Sequence, residues 1–109
     1  MNKYRDKSDF EINKAVAVII NGTDAVVEKF GRIYINDEDR CAMVSFGPCN
    51  NPYDAMPIII ENGISMVRVN NEWSARQFNN HCIEVNDSNY FRAAMICFLM
   101  MKDAENEKS

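Results

Sequence analysis

The chain has 109 residues, a formal net charge of −4 and 47% hydrophobic residues. That composition is close to a globular average and excludes disordered, collagenous and membrane-embedded classes. Surface scaling lets about two-thirds of the unfolded chain's surface be buried, enough for a core without metal or disulfides. One domain over 1–109 is expected, with 1–7 and 103–109 as flexible ends.

Ser8-Asp9-Phe10-Glu11 reads as a capping box, and Ile12, Ala15, Val16, Ile19 and Ile20 follow at helical spacing. Asn21-Gly22 supplies a left-handed stop, so the first helix is placed over 9–20. From residue 23 the period changes to alternation. Strands are expected around 26–30, 32–35 and 41–46, with the polar turn 36–40 making a hairpin of the last two. Gly31 is expected to break or bend the first strand away from the second. Asn51 then reads as an N-cap, Pro52 as the first helical residue and Asp54 as a first-turn acid, giving a second helix over 52–62. Pro57 inside it is expected to bring a local kink. Strands over 64–69 and 73–78 form a second hairpin across Asn70-Asn71-Glu72, and 81–85 offers a further short strand. The last helix is placed over 88–102, starting at Asp87 or Ser88. The fold class is therefore α+β: an antiparallel sheet of four to six short strands from two hairpins, with three helices packed on it. The 14 asparagines, many of them paired, read as punctuation between these short elements.

The charge balance counts against direct nucleic-acid binding, because the 12 basic residues are scattered and form no stripe. Residues 1–14 have no apolar segment of the secretory kind, and the longest apolar run, 93–101, is too short to span a membrane. A cytoplasmic protein with reduced cysteines is the expectation.

Cys41, Cys49, Cys82 and Cys97, with His81 beside them, raise a metal or thiol reading. The spacing lacks the close Cys pairs of a zinc site, and His81 and Cys82 are adjacent in a strand and so point to opposite faces. No metal site, cofactor or catalytic residue is assigned. A Cys nucleophile would need His81, the sole histidine, as its base. No nucleophile elbow or phosphate loop is present. Asp37, Glu38 and Asp39 cluster in a turn, where a solvated face is the ordinary explanation. Asp54 has a sufficient role in the helix cap and an alternative one in a surface pocket. Trp73 reads either as a core residue or as a binding hot spot. Residues 93–101 are apolar on every face, so the last helix is buried on several sides. It is either a central core helix or one that also docks on a second subunit through Met95, Phe98 and Met101, which would make a homodimer.

The segment 50–59, Asn-Asn-Pro-Tyr-Asp-Ala-Met-Pro-Ile-Ile, resembles the N-x-P-x-D-A-x-P-I-I core of the NinX-type family of small lambdoid phage and prophage proteins. The closing segment 89–101 and the opening 9–17 are similar to that family as well, so the resemblance covers nearly the whole chain. Tyr90 stands where proline is common in the family, which bears on the helix start. A weaker similarity is to phage α-β-α sandwich domains. The resemblance implies a phage origin and a bacterial host cytoplasm, and it carries no catalytic residue. Together these readings mark Asn50, Asn51, Asp54, Trp73 and Arg92 as candidate binding residues. The expected function is that of a phage accessory protein, most simply a non-catalytic module that binds a host or phage protein. The alternatives are an acidic module, through 37–39 and Asp103, Glu105 and Glu107, that binds a nucleic-acid-handling protein, and a small enzyme using a pocket near Asp54 and His81.

Overall fold

Ser8 begins the first helix as its sequence context demands. Its hydroxyl accepts from the Glu11 N–H at 3.1 Å, and the Glu11 carboxylate accepts in return from the Ser8 N–H at 3.4 Å. In the computed structural model, which describes residues 3–39, 41–78 and 82–107, this helix, α1, runs Asp9–Asn21. A short 3-10 turn, Thr23–Ala25, leads into three strands: β1 (Val26–Lys29), β2 (Arg32–Asp37) and β3 (Ala42–Ser45). Helix α2 spans Pro52–Glu61. Three further strands follow, β4 (Ser65–Val69), β5 (Glu72–Gln77) and β6 (Ile83–Asp87), and helix α3 (Tyr90–Glu107) closes the chain. His81, with its expected strand start, lies outside the described residues.

The α+β class, the three helices and the antiparallel strands match the expectation. The six strands divide into two three-stranded meanders, β1-β2-β3 and β4-β5-β6. Gly31 does not separate the first two strands; it joins them. Phe30 and Gly31 both have positive φ, 52° and 73°, between the paired residues Lys29 and Arg32. That is the turn whose twist suits an antiparallel hairpin. Asn70, at φ 57°, makes the corresponding two-residue turn between Val69 and Glu72.

Helix α3 is the centre of the molecule. Ala93, Ala94, Met95, Cys97 and Leu99 are almost wholly buried, and Phe98 and Met101 are 3% and 6% exposed. One side of α3 packs on β5 and β6, and the other meets α1 and α2. Helix α1 in turn packs against β1 and β2 as well as α3, with Ile12 and Val16 joining the core around α3. Burial of this apolar surface, at roughly 25 cal/mol per Å², is the main stabilising term. Tyr4, in the segment expected to be loose, is 7% exposed, and its hydroxyl donates to Asp103 on α3.

Candidate functional site

The start of α3 is set by Asn89. Its side-chain oxygen accepts from the N–H groups of Phe91 and Arg92 at 2.9 and 3.2 Å, so the cap sits later than Asp87 or Ser88. Asp87 ends β6 and accepts from the Asn89 N–H at 2.8 Å. This cap aims Arg92, three residues on, toward the start of α1.

Arg92 is a hub. Its Nη1 donates to Asp9 at 2.8 Å and its Nε to Asp87 at 3.2 Å. Its Nη2 reaches the carbonyls of Lys7 at 2.6 Å and Arg5 at 3.1 Å. A guanidinium suits this work because its donors form a rigid planar fork. One side chain therefore ties together the chain's opening segment, α1, β6 and α3.

The loop 47–51 closes the same cluster. The Cys49 N–H donates to the buried Asn13 side chain at 2.9 Å, and the Cys49 carbonyl accepts from Asn89 at 3.1 Å. Asn50 donates to Asp9 at 3.3 Å. Asn51 caps α2 by accepting from the Tyr53 N–H at 3.0 Å, with Pro52 next to it as expected. Asp54, one turn into α2, accepts from the Gly47 N–H at 3.0 Å. Among the described residues, no buried side-chain nitrogen or oxygen lacks a hydrogen-bond partner.

Asn50 and Arg92 thus meet on Asp9, while Asn51 and Asp54 bond at the junction of the 47–51 loop with α2, and each makes a bond that shapes the chain itself. Trp73 lies beside this cluster, outside it. Its ring meets Tyr90 edge-on at 4.9 Å, and the Arg68 guanidinium lies 5.2 Å from its centre. Met95, Phe98 and Met101 are core residues of the single chain. Asp9, Asn13, Asp87 and Asn89 are the members of the cluster that sequence reasoning did not single out. One signal was present: Asp9 and Asn13 stand four apart on α1 and so share a face.

The thiols divide by burial. Cys49 and Cys97 are buried, and Cys41 and Cys82 are exposed. Burial pushes the Cys49 thiol up to about 12, helped by the nearby Asp9 charge, and burial alone does the same to Cys97. Both are therefore neutral thiols at physiological pH, not nucleophiles. Among the described residues, no three His, Cys, Asp or Glu side chains converge in a way that could hold a metal ion. Among the described residues, no helix is long and apolar enough to cross a membrane.

Among the surface clefts, two bear on the expected binding readings. The larger, about 960 Å³, is lined by Ile35 and Val44 together with Asp24, Asp37, Glu38 and Asp39. The acidic residues of the C-terminal segment are elsewhere, with Asp103 taken up by Tyr4 and Lys3. The second cleft, about 490 Å³, lies between α1 and α2, with Phe46 and Phe98 among its lining residues. Its edges carry Ile19 and Ile20 of α1, 42% and 46% exposed, and Tyr53 of α2, 87% exposed. Ile60, 71% exposed, continues the line of Tyr53 and Pro57 along the same face of α2.

The family model described as Bacteriophage P22, NinX matches residues 3–102. The chain belongs to that family. The match covers the Arg92 cluster, α1, α2 and α3 as far as Lys102. No curated protein and no solved structure matches the chain.

Proposed function

We propose that this phage-family protein is an accessory factor of the bacterial cytoplasm that acts without catalysis, by binding a host or phage protein. One observation carries the reading: the exposed apolar line Tyr53-Pro57-Ile60 beside the α1–α2 cleft. Single exposed apolar residues are ordinary, but a contiguous patch with polar edges marks interaction surfaces. Asp54 and Glu61 flank this line. The motif residues support the same reading from the other side, because their hydrogen-bonding groups hold α1, the 47–51 loop and α3 in place.

The test is affinity capture from infected host cells with the wild-type protein and with Ile60→Asp. Ile60 is exposed and sits in the last turn of α2, where a negative charge opposes the helix dipole, so the substitution costs folding about 1 kcal/mol and leaves the protein folded. The reading expects a protein that the wild type retains, that rebinds when purified, and that Ile60→Asp loses. Equal capture by both proteins refutes the assignment of this surface.

The acidic reading keeps one specific support, the four carboxylates around the 960 Å³ cleft. It expects a basic, nucleic-acid-handling partner whose binding weakens steeply with salt and is untouched by Ile60→Asp.

A further inference from the structure

Each of the two sheets has two edges. Three of these four edge strands, among the described residues, carry charge: β1 has Glu28 and Lys29, β4 has Arg68, and β6 has Glu84 and Asp87. Charged side chains on an edge oppose pairing with another chain. β3 is the exception. Ala42-Met43-Val44-Ser45 has no charge, proline or glycine, and all four residues are exposed.

The direction of its free hydrogen-bonding groups is fixed by the sheet. The Phe46 N–H donates to the Ile33 carbonyl at 2.9 Å, and Val44 stands opposite Ile35. Antiparallel pairs alternate, so Ala42, Val44 and Phe46 bond inward to β2. Met43 and Ser45 therefore turn their N–H and carbonyl groups away from the sheet.

We propose that β3 pairs antiparallel with β3 of a second copy, about a two-fold axis at Val44, and joins the two first sheets into one of six strands. Met43 of each copy then exchanges two hydrogen bonds with Ser45 of the other. The two Val44 side chains meet on the cleft face, where Val44 is now 42% exposed. A two-fold contact of this kind must be self-complementary. The sheet meets that demand, since its ends carry opposite charge. Glu38 and Asp39 lie in the turn at one end, which stays acidic although its sequence also carries Arg40, a residue outside the described ones, and Lys29 and Arg32 are exposed at the other. Antiparallel pairing brings the turn of one copy beside residues 47–49 of the other. Gly47 and Arg32 line one cleft at that end, which places a base near the partner's turn. The strand is short, so the pair is weak, in the range of about 10 µM to 1 mM.

The test is a cysteine scan in a Cys41→Ser, Cys82→Ser background, which removes the exposed thiols. Residues 44 of the two copies face each other at about 4.5 Å between Cα atoms, within disulfide reach. Residues 43 lie diagonally, as do residues 45, at about 7–8 Å, beyond that reach. Val44→Cys is expected to give a cross-linked dimer under mild oxidation, while Met43→Cys and Ser45→Cys stay monomeric. Sedimentation of the wild type at up to about 0.5 mM should show a rising mass, and Val44→Lys should hold it at the monomer value. A wild type that stays monomeric throughout overturns the proposal, as does cross-linking at 43 or 45 in place of 44. Circular dichroism of each variant separates misfolding from lost pairing.

Discussion

Replacing Arg92 with alanine tests what holds the fold's entry and exit together. The side chain is 13% exposed, and its carboxylate partners Asp9 and Asp87 are 41% and 24% exposed. Removing one partner of a fully buried ion pair costs about 3–5 kcal/mol. Water reaches both carboxylates here, which moves the value to the lower end. The bonds to the Lys7 and Arg5 carbonyls add to the loss, since those groups fall back on solvent. The expected destabilisation is about 3 kcal/mol, or about 10–20 °C in Tm for a domain of this size. Urea unfolding followed by circular dichroism measures it, with calorimetry for Tm. Arg92→Lys keeps a charge but not the fork, and should recover less than half of the loss. A change below about 1 kcal/mol for Arg92→Ala would refute the hub role of this residue.

Three other outcomes follow from particular residues. Asn51→Ala removes the α2 cap and should cost about 1 kcal/mol, seen as a lower urea midpoint with unchanged slope. A thiol reagent should modify Cys41 and Cys82 quickly in the native protein, and Cys49 and Cys97 only at the rate of unfolding. Tyr4 has its phenol pKa raised, first by burial and then by the Asp103 carboxylate it donates to. The native state thus holds that proton more tightly than the unfolded chain, so this stability is intact below about pH 10 and declines above it. Tyr4→Phe should flatten that alkaline decline, and an unchanged pH profile would remove Tyr4 as its source.

How much of this was legible in the sequence depends on the range of the interaction. The capping box at Ser8 and the Asn51-Pro52 start of α2 are local chemistry, and both formed as read. The apolar run in α3 signalled burial on several sides. It left open whether a second subunit supplied one of them, and the structure seats Met95, Phe98 and Met101 inside the single chain. The division into two sheets was not legible, because strand alternation says which face is buried and not which strands are neighbours. Phe30 hid the first hairpin, since a bulky aromatic at positive φ is an uncommon turn residue. The Arg92 cluster was hidden for a different reason. Its partners in the opening segment and α1 lie 83 to 87 residues away in sequence, and only the fold brings them within hydrogen-bond distance. The geometry gives Asn50, Asn51, Asp54 and Arg92 structural work.

The central claim is that the α1–α2 face binds a protein partner. Calorimetric titration of the captured, purified partner into the wild type and into Ile60→Asp tests it most directly. Ile60→Asp is expected to lose at least about tenfold in affinity while its Tm falls by no more than about 5 °C. Equal affinity for the two proteins would contradict it.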